Sequence, residues 1–438
     1  MRKTLGALGL LFLLSTPVLA QTRDGADTGD TAWLLVSTAL VMLMTAPGLA
    51  LFYGGLVSQR NVLSTMMHSF FILCLISIQW VLFGYTLSFG HDLHSVVGGL
   101  EFLGFRGVGQ APLPNSTVPH IAFAMFQGMF AIITVALITG SFAERIRFGA
   151  FILFALLWST LVYDPLAHWV WGGGWLQKLG ALDFAGGTVV HISSGVSALV
   201  AAVMIGRRIG YPGKVAPPHN MPLTLLGAGL LWFGWFGFNG GSALTSSGLA
   251  AVAFGVTNTA AAAGALAWTL VEGLTRKRPT ALGTATGAVA GLVAITPAAG
   301  YVHAISAIAI GGVAGILCYW GVNVLKARRG YDDSLDVFGV HGLAGTWGAI
   351  ATGIFASTSV NPAGANGLLF GNPKQVLIQL AGVVAAWVVA AVGTWVILKA
   401  VNWITPFRAA SEAELAGLDA SIHRETAYHF QTTDAGRQ

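Results

Sequence analysis

Apolar stretches separated by short polar breaks recur along nearly the whole chain. Each is close to the roughly 20 mostly apolar residues that an α-helix needs to cross a bilayer's hydrocarbon. The pattern predicts helical spans at 32–56, 62–89, 120–142, 148–170, 186–206, 221–240, 248–272, 280–299, 302–325, 338–356 and 374–404. These eleven make the expected protein an all-α polytopic membrane protein, whose last span is long enough to tilt strongly or to project. Residues 1–20 read instead as a cleavable secretory signal. Arg2 and Lys3 form its basic end, Leu5 to Leu14 its apolar stretch, and Val18-Leu19-Ala20 its cleavage site. An extra span there is the weaker reading, because Ser15-Thr16-Pro17 interrupts a short stretch. The expected division is signal 1–20, transmembrane body 21–404 and polar tail 405–438, the tail being too short for a domain.

The charged breaks set an orientation. With the N-terminus outside, the loops expected in the cytoplasm hold Arg60, Arg145, Arg147, Arg207, Arg208, Lys214, Arg276, Lys277, Arg278, Lys326, Arg328 and Arg329. The opposite loops hold only Arg106, Lys178 and Lys374, twelve against three. This obeys the positive-inside rule, and a miscount of one span would reverse it halfway along. An odd number of spans leaves the C-terminal tail inside.

Composition agrees. Of 438 residues, 55% are hydrophobic and 9% charged, against about 25% charged in a soluble domain. So few charges leave most of the surface facing lipid, and the 58 glycines read as close helix contacts rather than loops. The net charge of +5 does not point to nucleic acid, since the basic residues lie in short runs between spans. Cys74 and Cys318 sit in apolar runs and read as buried thiols, with neither a disulfide framework nor metal-ligand spacing. No cofactor motif accompanies them.

Eleven spans divide as five, five and one. Asp183-Phe184-Ala185-Gly186-Gly187 opens the fifth, which reaches His191; Asp336-Val337-Phe338-Gly339 opens the tenth, which reaches His341. With the orientation above, these two spans run in opposite directions. That is the signature of an inverted five-plus-five repeat, in which substrate sites lie near the midplane around a central pore. A polar side chain in hydrocarbon is costly unless paired or wetted, so both histidines are functional suspects. A lone histidine there is better read as packing glue, but two at equivalent places favour a shared pore. His68, His120, His168 and His303 have no such partner and are expected at helix ends or in interhelical hydrogen bonds. Asp183 is expected either to cap its helix or to bias the outer mouth electrostatically. Asp164 has no role in this reading.

Three aromatic segments fall at similar depth on the outer side. Phe126 and Phe130 share a helical face, Trp171 and Trp175 flank a glycine run, and Trp235 and Phe238 end the sixth span. Singly each reads as an interface anchor. Together they form a candidate cage for a small cation, worth about 2 kcal/mol when desolvated.

Five segments, ALDFAGGTVVHISSG at 181–195, DVFGVHGLAGTWG at 336–348, AERIRFGA at 143–150, WFGFNGGSA at 235–243 and WGGGW at 171–175, resemble the ammonium transporter family (Amt/Mep/Rh), with Trp171 favouring the bacterial and plant Amt branch. The resemblance implies an eleven-helix, pseudosymmetric fold assembled as a homotrimer in the cytoplasmic (inner) membrane, with one pore per subunit and no enzymatic chemistry. Carried over by motif, the pore histidines are His191 and His341, and the outer ammonium site is Trp171, Phe130 and Ser242. Phe130 with Phe238 forms the gate, Phe126 and Trp235 line the vestibule and pore wall, and Asp183 is the acidic residue behind the outer site. The tail residues Gly417, Leu418, Asp419, His423, Glu425, Ala427 and Tyr428 resemble Amt tails, where a PII-type signal protein plugs the pore.

The implied substrate is ammonium or ammonia, with methylammonium as analogue. Ammonium resembles potassium in charge and size but can lose a proton, and imidazole both donates and accepts one. Two rival classes stand beside a channel. A membrane redox enzyme would use His191 and His341 as axial haem ligands, although the small residues around both leave little space for a macrocycle. An ammonium sensor would act through a cytoplasmic partner.

Overall fold

The computed structural model describes residues 25–429, so the expected signal segment lies outside it. The chain is almost wholly helical. Its main helices are α1 (Thr28–Leu56), α2 (Gln59–Phe89), α3 (His120–Ser141), α4 (Phe148–Leu179), α5 (Gly187–Ile205), α6 (Met221–Gly241), α7 (Gly248–Arg276), α8 (Ala281–Ile295), α9 (Ala304–Arg329), α10 (Phe338–Gly342 continuing into Leu343–Phe355) and α11 (Lys374–Ile404). Among the described residues, nine of these are long and apolar enough to cross a membrane; α8 is a shorter apolar helix. Every predicted span falls on one of these helices.

Helix starts follow local chemistry. Asp27 accepts from the Asp30 amide, Asn220 from Leu223 and Thr280 from Gly283, each satisfying a donor that the first turn leaves free. Pro47 inside α1 coincides with a widened π turn, Met44–Leu49. Small residues let α7, α8 and α9 pack closely, with Ala260, Ala261 and Gly264 buried along α7.

The two ends of the bundle differ. At one end a short hairpin, β1 (Asp92–Leu93) with β2 (Val97–Gly98), lies in the long segment between α2 and α3. At the other end Arg208 bonds Glu144 at 2.6 Å and Asp332 at 2.8 Å, joining loops from three distant stretches of chain. Burial works against the Glu144 carboxylate, but Arg208 and the Ser58 and Asn61 donors hold its pKa below the ordinary value.

The tail lies packed against the same end as Arg208. Asp419 accepts from the amides of Leu63 (3.0 Å) and Ser64 (2.7 Å), while Leu418 donates to Asn61 at 2.7 Å. Arg60 bonds the Leu415 carbonyl, and Tyr428 meets His219 at 3.0 Å.

The cysteine expectation needs one correction: Cys318 is buried, but Cys74 is exposed. An apolar run marks lipid-facing and core positions alike, so the pattern alone does not separate them.

Candidate functional site

His191 and His341 stand where α5 and α10 cross. Each lies in a π turn, Gly187–Ile192 and Phe338–Gly342, and such turns recur at functional sites because they re-aim side chains within a helix. Close approach of the backbones brings the rings together. A Cβ on Gly195 would come within 2.1 Å of the Gly342 nitrogen, and one on Gly345 within 3.0 Å of the His191 Cβ. The two Nδ1 atoms are 3.3 Å apart, and both side chains are buried.

An Nδ1–Nδ1 contact requires one ring to donate and the other to accept. The rings are then opposite tautomers, so one Nε2 is bare and the other carries a hydrogen. The Nε2 of His191 is buried with no partner, an arrangement that costs free energy unless something else meets it.

The histidine pair continues a stack of rings. His191 lies against Trp235, with centroids 5.3 Å apart, and against Phe238 at 6.0 Å. Phe238 stacks on Phe130 at 4.2 Å. Phe130 meets Phe126 at 4.9 Å and the edge of Trp171 at 6.0 Å. The Trp235 indole is fixed by a 2.9 Å bond to Thr296. Seven aromatic or histidine residues singled out in the sequence thus lie within one connected cluster.

A cavity opens at each end of this stack. On the hairpin side, about 420 Å³ is lined by Phe130, Trp171, Asp183, Ser242, Gln127 and Tyr301 among others. On the tail side, about 380 Å³ is lined by His341, Val340, Trp268, Glu272, Asp336 and Arg208 among others. Between them stand the stacked rings of Phe130 and Phe238, both fully buried. Ser242 donates its hydroxyl hydrogen to the Phe238 carbonyl at 2.8 Å, which leaves its oxygen lone pairs available to the cavity it lines.

Asp183 acts as a cap. Its carboxylate accepts from the amides of Gly186, Gly187 and Thr188, each at 2.7 Å, and Val189 at 3.2 Å. Its carbonyl takes the Trp171 indole hydrogen at 2.8 Å. Four donors occupy the carboxylate, so Asp183 shapes the mouth by holding α5 and Trp171.

The second half needs a different partner from the one its sequence suggests. Asp336, paired above with Asp183, instead bonds Lys326 at 2.6 Å. Asp333 does the capping, accepting from the Phe338 amide at 2.8 Å. Asp183 stands eight residues before His191 and Asp333 eight before His341. Counting back an equal number from each histidine would have found it; the Asp-Val-Phe-Gly string, closer to the turn, hid it.

The other histidines divide. His120 meets the Tyr85 hydroxyl at 2.5 Å, His168 meets the Ser88 carbonyl and Asp92, and His303 meets Ser359 at 3.2 Å, as expected of interhelical or helix-end groups. His68 departs from this: its ring lies against Phe151, centroids 4.4 Å apart, and its Nδ1 is unpartnered. Asp164, without a role in the sequence, is fully buried and takes a 2.8 Å bond from Gln79. No group of three or more metal-ligating side chains occurs among the described residues.

The architecture defines a multi-pass helical membrane protein with a buried histidine pair and an aromatic stack between two opposed cavities. Comparison with known proteins gives this class its family. The profile of the Ammonium Transporter Family matches residues 32–428, and this chain belongs to that family. It is 56% identical over 401 residues to an ammonium transporter of Bacillus subtilis, covering 91% of this chain and 98% of that one. Its fold superposes on the crystal structure of Saccharomyces cerevisiae Mep2 with a TM-score of 0.83, at 39% identity and 89% coverage of each chain. It also superposes on a structure titled Sensor Amt Protein with a TM-score of 0.84, at 30% identity, covering 90% of this chain and 98% of that one.

Proposed function

We propose that the protein conducts ammonium-derived nitrogen across the cytoplasmic membrane through the path between the two cavities. The observation that carries this reading is the unbroken series Trp171, Phe130, Phe238, His191 and His341, which begins at one cavity and ends at the other. In this reading the hairpin end lies outside and the tail inside, with eleven spans in an inverted five-plus-five arrangement, and the charge pattern of the loops supports that orientation.

In this reading ammonium is recruited in the outer cavity. The faces of Trp171 and Phe130 attract the cation, and the lone pairs of Ser242 accept one of its hydrogens. The stacked gate of Phe130 and Phe238 must part for anything to pass, and Phe126 and Trp235 complete the vestibule and wall. The apolar lumen beyond penalises an ion, so ammonium gives up a proton there while potassium has none to give. Ammonia then meets the imidazoles, whose opposite tautomers offer one acceptor and one donor. A proton taken up at the bare Nε2, passage of the shared Nδ1 proton to the other ring and release of that ring's Nε2 proton exchange the two roles, which suits the pair to relay the released proton. The chain needs no cofactor for this and acts as a transporter rather than an enzyme. Three such subunits assemble as a homotrimer.

Uptake of ammonium or methylammonium into liposomes holding the purified protein is the direct test. Uptake above that of empty vesicles supports the reading, and none would overturn it. The structural likeness to Sensor Amt Protein supports a second reading, an ammonium sensor working through a cytoplasmic partner such as a PII-type protein at the tail-side end. Ammonium binding without uptake would favour it.

A further inference from the structure

The wall of the outer cavity that carries Trp171 is built on an intrinsically loose turn. Trp171 is the last residue of a helical segment, Asp164–Trp171, and Gly172-Gly173-Gly174 follows before the chain turns into a second segment, Trp175–Leu179. Gly173 has a φ of +92°. Three successive glycines carry more backbone freedom than any other triplet, so beside the 2.8 Å bond from the Trp171 indole to the Asp183 carbonyl the backbone on the two sides of the turn needs fixing by other contacts.

Asp92 of β1 bridges that turn. One carboxylate oxygen meets His168 Nε2 at 2.9 Å, three residues before Trp171, and the other takes the Lys178 ammonium at 2.5 Å, seven residues after it. His168 is buried, and its Nδ1 is 3.0 Å from the Ser88 carbonyl. That carbonyl presses on the turn itself, since a Cβ on Gly172 would come within 2.0 Å of it. The amides of Gly172 and Gly174 both return to the His168 carbonyl, at 3.0 and 2.9 Å. Two further bonds fasten the hairpin segment to the same stretch: Trp169 to Val96 at 2.8 Å, and Trp175 to Ser95 at 3.1 Å.

We infer that Asp92 and His168 are positioning residues for ammonium recognition: they staple the two sides of the glycine turn and so hold Trp171 over the outer cavity. Neither residue lines that cavity, so they act through Trp171. The inference rests on the outer-cavity reading above.

A carboxylate near an outer mouth has a competing explanation, simple attraction of cations. Lys178 separates the two by sign. Lys178→Met removes one arm of the staple and one positive charge. If Asp92 acts as a staple, this variant binds ammonium more weakly; if it acts by simple attraction, the variant binds it more tightly.

The experiment measures half-saturating ammonium and maximal current in proteoliposomes for the wild type, Asp92→Ala, Asp92→Asn, Lys178→Met and Trp171→Leu. Asp92→Ala is expected to raise the half-saturating concentration by about tenfold with maximal current changed by less than about twofold. Asp92→Asn keeps a partner for His168 and should lie nearer the wild type, and Lys178→Met should show a smaller rise. A lowered value in Lys178→Met, or equal rises in Asp92→Asn and Asp92→Ala, would overturn the staple in favour of charge attraction. If Trp171→Leu raises the value while Asp92→Ala and Lys178→Met leave it unmoved, the inference fails and the outer-cavity reading survives. If Trp171→Leu itself moves nothing, the outer-cavity reading fails first.

Discussion

At the scale of single residues, two features account for the proposed selectivity: the Nδ1–Nδ1 contact of His191 and His341, and the ring faces above it. Alanine at either histidine leaves the other without its 3.3 Å partner and removes the shared proton. Each variant is expected to alter ammonium conduction and to weaken exclusion of potassium, read as paired currents in the two ions. Unchanged conduction and exclusion in both would remove the relay role. Trp171→Leu deletes the proposed cation–π contact, worth about 2 kcal/mol, so the half-saturating ammonium concentration should rise by up to roughly 30-fold. Ser242→Ala keeps the helix but removes the hydroxyl that bonds Phe238. Its effect is expected on the same concentration, in the same direction and smaller.

At the scale of elements, the caps matter most. Asp333 sits before α10, where burial raises its carboxyl pKa from 3.8 to about 6, against the pull of the Lys326 ammonium. Its folded pKa lies above its unfolded one. Its contribution to stability is therefore complete below about pH 4 and is lost as pH rises through about 6. Melting temperature of the solubilised protein should fall across that interval, and Asp333→Asn should flatten the fall. Asp419 caps α2 from the distant tail through Leu63 and Ser64. Asp419→Ala is expected to cost about 1 kcal/mol and to release the tail. Faster tryptic cleavage at Arg424 would report that release, and an unchanged cleavage rate would count against the cap as the tail's anchor.

At the scale of the whole molecule, the tail-side end is held by Arg208 between Glu144 and Asp332, side chains that are 11%, 9% and 0% exposed. Removing one member of a buried ionic cluster leaves uncompensated charge and typically costs about 3–5 kcal/mol. Arg208→Ala should therefore lower the yield of folded protein and its melting temperature far more than Arg328→Ala, whose residue forms an exposed part of the α9 end. The same face carries the docked tail, so a regulator that seats there would meet a surface already shaped by residues 405–429.

The linear order of apolar and polar residues determined that the chain is helical and membrane-embedded, where most helices begin and end, and that His191 and His341 form a pair. These follow from local physics: hydrocarbon demands apolar runs, and intramembrane polar groups stand out against them. The aromatic cluster was legible because the residue strings around it resemble those of a known family. Tertiary structure decided what depends on meetings between distant segments. It made Asp333 rather than Asp336 the counterpart of Asp183, set Asp183 as a cap saturated by four amides, exposed Cys74, and joined Asp92 to His168 across the glycine turn. Hydropathy measures only each residue's preference for water or hydrocarbon. Which polar group meets which is set by helix crossings, and those are chosen by packing over the whole chain.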